Sequence, residues 1–317
     1  MGMNGSFFAR RKGLAVTAVA LAASAGVAAT VIPASATESR TGKETTVLAA
    51  SLRGANEVPV EGGPAVGDKD GAALEFIEVK GDKVSVAVTW RGTGRPTDLH
   101  IHQGARGANG GVKIDFGKLL EKAPKGRHSL VGSVRVNDPA LLERLTTDPG
   151  SFYANLHTAE FPGGAVRGQL HKVTTAVGLR HVLGSFQASV VKGRQIYECK
   201  AADGGGYAFA QRDVSARLGG GIRHSFVKPG SGTPQWVAPD GSAVTGALIA
   251  KTPGGDGNIP ELDLKATRSG THHGLLAGTT EILRLNTVGG VAPAGSCTPG
   301  AIVGVSYRAD YVFVRQH

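Results

Sequence analysis

The sequence predicts an all-β protein made of two β-sandwich-like or barrel-like domains in tandem. The 317-residue chain contains 48 glycines, and only 5% of its residues are aromatic. Turns containing Gly, Pro and Asp separate short runs rich in Val and Leu, which is the pattern of strands joined by tight connections. Within several of these runs polar and apolar residues alternate, as they do in half-buried strands.

The chain is expected to divide into a signal peptide, a short leader, two β domains and a linker between them. The predicted bounds are 1–36 for the signal peptide, 37–45 for the flexible leader, 46–173 for the first domain, 174–185 for the linker and 186–317 for the second domain. The first domain has predicted strands at 46–52, 72–78, 83–90, 98–102, 132–136, 151–157 and 164–172, and those of the second include 195–201, 207–210, 222–227, 235–238, 243–250, 262–267, 282–286 and 307–314. Asp138 followed by Pro139 and leucines at helical spacing predicts one short helix over 138–145.

The first 36 residues have the pattern of a secretory signal. Arg10, Arg11 and Lys12 precede an uncharged Ala-, Val- and Leu-containing stretch, and Ala34-Ser35-Ala36 fits a small-x-small cleavage site. The alternative is a transmembrane anchor, but the apolar stretch is only weakly hydrophobic. We expect a secreted, extracellular protein without a membrane anchor after cleavage. Export by the general secretory route and by the twin-arginine route both remain open.

The basic charge of the chain is spread along the sequence. The formal net charge is +10, and three positive charges would leave with the signal. Without a basic run, the sequence offers no nucleic-acid track. Diffuse positive charge fits anionic cell-envelope polymers or an extracellular protein as partners.

The two cysteines, Cys199 and Cys297, both lie in the second domain. In an exported chain such a pair is expected to form a disulfide rather than a redox site. Closing a loop of this length stabilises a fold by roughly 4–5 kcal/mol in the chain-entropy description.

The segment 98–102 carries the strongest chemical signal in the chain. Its alternation directs Leu99 and Ile101 into a core and places Asp98, His100 and His102 together on the opposite face. Two imidazoles at i and i+2 on one strand face can bind one metal ion or share a hydrogen-bond network. Two further strands extend this polar face, one with Tyr153, Asn155 and His157 and one with Arg167, Gln169 and His171.

Several motifs of the first domain occur together in register. They are Glu57-Val58-Pro59, His100-Ile101-His102-Gln103-Gly104, Asn155-Leu156-His157-Thr158 and the run from Phe161 to Leu170. With these motifs the segment from Ala49 to Lys172 resembles CHRD domains, the modules first described in chordin. The resemblance implies an extracellular β-sandwich-like module without an assigned activity.

The polar face admits two interpretations. In the first, His100, His102 and His157 hold one copper, zinc or iron ion, with Asp98, Asn155, Tyr153, Arg167 and Gln169 around them. In the second, the same side chains form a satisfied hydrogen-bond network that fixes strand pairing, with Arg167 and Gln169 tying loop carbonyls or Glu57. The sequence favours a non-catalytic binding module over the alternative, an extracellular metalloenzyme acting on oxygen species or envelope material.

The second domain resembles a secreted bacterial and fungal family of unknown function. The resemblance covers about Tyr197 to Val314 and rests on Tyr197-Glu198-Cys199, Trp236 to Ser242, Ile259 to Leu262, Leu285 to Gly290 and Cys297. It implies a β-rich exported domain and supports the pairing of the two cysteines. His224, Trp236 and Asp240 form a second candidate site in this domain, although aromatic residues such as Trp236 are more often part of a core.

Overall fold

A computed structural model describes residues 45–121, 123–124, 126–175 and 177–315 of the chain. The predicted signal peptide and all but the last residue of the predicted leader lie outside this part. The fold is all-β with two domains, as the sequence predicts. Within the described residues, no helix has the length and apolar character needed to cross a membrane.

The first domain is one antiparallel sheet with two short helices. Its elements are β1 Thr45–Arg53, β2 Ala72–Lys80, β3 Lys83–Arg91, β4 Pro96–Gln103, β5 Val112–Asp115, α1 Gly117–Glu121, β6 Ser129–Arg135, α2 Pro139–Thr147, β7 Phe152–Thr158, β8 Val166–Gln169 and β9 His171–Val173. The strands follow the order β5-β4-β7-β8-β1-β2-β3-β6, and β9 also pairs with β1. Six of the seven predicted strands are present as single strands, and the one predicted over 164–172 is divided into β8 and β9. The elements β5 and α1 were not predicted.

One face of this sheet encloses the core of the first domain. The core takes residues from all the strands except β9, including the fully buried Leu99 and Ile101 of β4. Helix α2 covers part of it with three leucines. The helix confirms the prediction from sequence: Asp138 caps it by accepting a hydrogen bond from the backbone N–H of Leu141 at 2.9 Å.

The second domain is a closed eight-stranded barrel. Its strands are β10 Phe186–Ala201, β11 Tyr207–Leu218, β12 Arg223–Phe226, β13 Pro234–Val237, β14 Ala243–Thr252, β15 Glu261–Arg268, β16 Thr279–Gly289 and β17 Ile302–Arg315. Each strand pairs antiparallel with the next, and β17 closes the barrel on β10. The predicted disulfide is confirmed: Cys199 of β10 is bonded to Cys297, in the connection before β17.

The two domains share an apolar core. Val47 of β1 and Phe76 of β2 lie on the sheet face opposite the first core, and they pack with Leu285 of β16 and Val312 of β17 on the outside of the barrel. The connection predicted as a linker over 174–185 contributes to this core, since its side chains Val177, Leu179 and Val182 are buried there. The connection is therefore a packed part of the fold.

A buried carboxylate, Asp310 of β17, joins the domains through polar contacts. Arg53 of β1 forms an ion pair with it at 3.0 Å. The side chain of Asn286 donates to Asp310 at 2.8 Å and to the backbone carbonyl of Ser51 at 3.0 Å. Because each partner satisfies a group that the interface removes from water, these contacts fix the register of one domain against the other.

Candidate metal centre

The pairing of β4 with β7 brings three histidines to one place. Asp98 lies opposite His157, and His100 lies opposite Asn155, on the sheet face that points away from the core. His100 and His157 are half-buried and His102 is 9% exposed. The alternation in the sequence thus places the histidine side chains on the same face of the sheet. The register of β4 against β7 then brings their rings close together.

One ring nitrogen from each of the three histidines lies within 4.8 Å of the other two. The shortest separation joins His100 Nδ1 and His157 Nε2, at 3.3 Å. Two nitrogen ligands at 2.0–2.1 Å from a tetrahedral ion stand about 3.4 Å apart. This separation therefore matches two ligands of one ion as well as a direct hydrogen bond between the rings.

Backbone carbonyls orient two of the rings. His102 Nδ1 lies 2.9 Å from the carbonyl oxygen of Gly110, and His157 Nδ1 lies 3.0 Å from that of Pro162. A carbonyl can only accept, so both Nδ1 atoms carry the proton and, in the neutral rings, both Nε2 atoms carry the lone pair. His102 Nε2 is buried and has no hydrogen-bond partner within the part of the chain that the structure describes. This is the arrangement in which proteins hold metal-binding imidazoles.

Two carboxylates face the outer nitrogen of His100. Its Nε2 lies 3.6 Å from Asp115 Oδ1 and 4.0 Å from Asp98 Oδ1, and Asp115 follows directly from the pairing of β5 with β4. The sequence indicated Asp98 and missed Asp115. Strand β5 has only four residues, and Ile114 is the one that is buried. This is too short a segment for an alternating pattern to be recognised.

Arg167 holds the loop that carries the Gly110 carbonyl. Its guanidinium donates to Asn109 Oδ1 at 3.1 Å and to the carbonyls of Ala105 at 3.1 Å and Ala108 at 2.7 Å. The same group lies 3.5 Å from the centre of the Tyr153 ring. Although it is charged, Arg167 is 1% exposed, and these contacts replace the water it has lost.

Gln169 and Asn155 position the surroundings rather than the rings. Gln169 donates to the carbonyls of Gly104, Gly150 and Phe152 at 3.0, 2.9 and 3.2 Å. Asn155 donates to Glu57 at 3.2 Å, so its amide nitrogen is engaged by this carboxylate. Burial raises the pKa of Glu57 to about 7, and the positive charge of Arg167 opposes that shift.

The environment favours neutral imidazoles. Burial is the largest cause that lowers the pKa of both His100 and His102, and the neighbouring histidines lower both further. The two carboxylates partly offset this for His100. Neutral rings offer a lone pair, so the same burial that disfavours protonation leaves the nitrogens free to bind a cation.

The second candidate site is only partly assembled. The rings of His224 and Trp236 are stacked, with centroids 4.3 Å apart and planes inclined by 4°, and both side chains are buried inside the barrel. Asp240 is exposed and fixes a turn, where it accepts from the backbone N–H of Ser242 at 2.9 Å and of Leu275 at 2.7 Å. The structure therefore brings the first two residues together and gives Asp240 a separate role.

Fold and site define an all-β, two-domain protein with a three-histidine cluster on its first domain. The family model of the CHRD domain matches residues 48–170, and that of a protein of unknown function (DUF3455) matches residues 215–315. The chain thus contains a CHRD domain followed by a DUF3455 domain, which confirms both resemblances. Comparison with curated proteins and with solved structures gave no match.

Proposed function

We propose that this chain is an exported, non-catalytic binding module whose CHRD domain holds one transition-metal ion on His100, His102 and His157. The observation that carries the proposal is the position of His102: its buried Nε2 has no hydrogen-bond partner among the described residues, and one of its ring nitrogens lies within 4.8 Å of ring nitrogens of the other two histidines. Burying an acceptor without a partner costs about 1–3 kcal/mol. A bound cation removes that cost.

The donor set indicates the class of metal. Three neutral imidazoles suit copper, zinc or iron, whereas Mg²⁺ and Ca²⁺ prefer oxygen ligands. Three protein ligands leave a fourth position for water or an external group. In this arrangement the carbonyls of Gly110 and Pro162 and the carboxylate of Asp115 serve as the outer partners of the three rings.

Two further observations support a binding role outside the cell. Neither family description names a reaction. The Cys199–Cys297 disulfide fits an oxidising compartment, in keeping with the signal-like first 36 residues. The remaining positive charge would favour anionic envelope polymers or an acidic extracellular protein as partners. Export itself is tested by N-terminal sequencing of the secreted protein, which should begin at Thr37.

Metal analysis of the purified exported protein tests the proposal. We expect wild-type protein to hold about one equivalent of metal per chain, and His102→Ala and His157→Ala to lose it. His272→Ala is the matched control, because it removes an exposed histidine outside the cluster. Equal metal content in wild type and in a His100→Ala/His102→Ala variant of unchanged circular dichroism would refute the metal site.

A further inference from the structure

The barrel encloses a cavity of about 590 Å³. Small-molecule sites are typically 300–1,000 Å³, and eight-stranded barrels are wide enough to hold one small ligand. The exposed side chains of Leu248 and Lys251 contribute to the lining, so the cavity reaches the solvent. A ligand can therefore enter without opening the strand wall.

The wall of this cavity is basic. Arg284 and Lys251 line it, and none of the described residues that line it is acidic. Two donors of Arg284, Nε and Nη2, bond the carbonyl of Pro260 at 3.1 and 2.8 Å. A guanidinium has five N–H donors, so others remain for a ligand.

Donors without partners among the described residues line the same cavity as the guanidinium. Gln195 is 1% exposed, and while its Oε1 accepts from Gln211 at 2.6 Å, its Nε2 has no partner among the residues that the structure describes. Trp236 is also 1% exposed, and its Nε1 has no partner in the described ranges of the chain. Buried donors without acceptors are uncommon and costly, so they point to an acceptor that the described residues do not supply.

Aromatic rings provide the apolar part of the wall. His224 stacks on Trp236, and Tyr311 stands edge-on to both, with centroid distances of 5.1 and 5.5 Å. Burial, with a smaller contribution from the charge of Arg284, lowers the pKa of His224 to about 3. The ring is therefore neutral at physiological pH and adds aromatic surface rather than charge.

We propose that the barrel binds a small organic anion. A flat apolar body would lie against Trp236, His224 and Tyr311, and an acidic group, carboxylate or sulfonate, would accept hydrogen bonds from Arg284 and Gln195. Charge-assisted bonds to a guanidinium are among the stronger contacts available to such a group. This site lies in the second domain and does not depend on a metal in the first.

A pair of fluorescent probes tests the proposal on the purified protein. 8-Anilinonaphthalene-1-sulfonate carries the expected aromatic body and anion, and N-phenyl-1-naphthylamine has the same body without the charge. We expect the anion to bind one per chain and at least about tenfold more tightly than the neutral probe. Equal affinity for the two probes, or no saturable binding of the anion, would overturn the proposal.

Charge variants locate the bound anion. Arg284→Met should weaken the binding of the sulfonate probe by about tenfold or more. The affinity for the neutral probe should not change. Lys251→Met changes an exposed position and carries less risk to folding. It should weaken the binding of the sulfonate probe less than Arg284→Met does. Lys265→Met is the matched control, because Lys265 lies outside the cavity lining. If Arg284→Met fails to fold, Lys251→Met and added salt still test the site. The proposal would be overturned if neither of them weakens the binding of the sulfonate probe.

Discussion

The rings of His102 and Tyr153 are stacked, with their centroids 4.8 Å apart and their planes inclined by 5°. Both side chains also bond to the backbone of Gly110. His102 Nδ1 donates to the Gly110 carbonyl at 2.9 Å, and the Gly110 N–H donates to the Tyr153 hydroxyl at 3.2 Å. A Cβ at Gly110 would stand 1.7 Å from the carbonyl oxygen of Gln103, so the close approach of this loop requires glycine. The orientation of His102 is thus fixed on two sides.

Tyr153→Leu should lower metal affinity by about 10–100-fold, the usual effect of losing a partner that orients a ligand. Tyr153→Phe keeps the stacked ring and loses only the hydroxyl, so its effect should be smaller. Competition with a chromogenic chelator measures both, and Tyr207→Leu, at an exposed position, serves as the control. Unchanged affinity in Tyr153→Leu would show that the stacking does not hold the ligand.

The two carboxylates near His100 should differ in effect. Asp115→Asn should lower metal affinity more than Asp98→Asn, because Asp115 Oδ1 is 3.6 Å from His100 Nε2 and Asp98 Oδ1 is 4.0 Å away. The expected loss for Asp115→Asn is about tenfold. The same chelator competition, with circular dichroism to check folding, compares the two variants directly. A larger loss in Asp98→Asn would contradict the assignment.

Glu75 should make stability depend on pH. It is fully buried in β2, and neither carboxylate oxygen has a hydrogen-bond partner among residues 45–121, 123–124, 126–175 and 177–315. Burial raises its pKa from 4.5 to about 8. The folded state therefore holds the proton more tightly than the unfolded state. Its contribution to stability is complete below pH 4.5 and is lost as pH rises to about 8.

Glu75→Gln should remove this loss of stability, which is on the order of 5 kcal/mol over that pH range. Urea unfolding between pH 5 and 9, compared with wild type, measures it. Glu78→Gln is the control, because it removes a half-buried carboxylate from the same strand. Parallel curves for wild type and Glu75→Gln would mean that Glu75 is solvated or paired.

The shared apolar core should make the two domains unfold together. Calorimetry of wild type is expected to show one transition. Val312→Asp places a charge in a position that is fully buried between the domains. It should divide the single transition into two and lower the midpoint temperature of the first by several degrees. Val191→Asp is the control, since Val191 is 72% exposed on the barrel. Two transitions in wild type would show that the interface does not couple the domains.

Alternation predicted the strands and the faces of the polar residues, because side-chain direction in a strand depends only on position along it. The approach of His157 to His100 depends on the register of β4 against β7. The ring orientations of His102 and His157 depend on the backbone carbonyls of Gly110 and Pro162, and a backbone carbonyl is present at every residue. These features could not be derived from side-chain pattern.

The interface between the domains did leave a signal in the sequence. The runs Ile282-Leu283 and Tyr311-Val312-Phe313-Val314 are apolar at every position, which indicates strands covered on both faces. Ile282, Tyr311 and Phe313 point into the barrel, while Leu283, Val312 and Val314 meet the first domain. Closure of the barrel through β10 and β17, by contrast, pairs strands from opposite ends of the domain and has no local signature.

The core between the domains also limits how such a chain can change during evolution. A gene fragment for either half, transferred to another protein, would carry an uncovered apolar strip that promotes aggregation. Substitutions on β1 or β2 must therefore be matched by substitutions on β16 or β17. Recombination at the connection over residues 174–185 would separate two surfaces that cover each other.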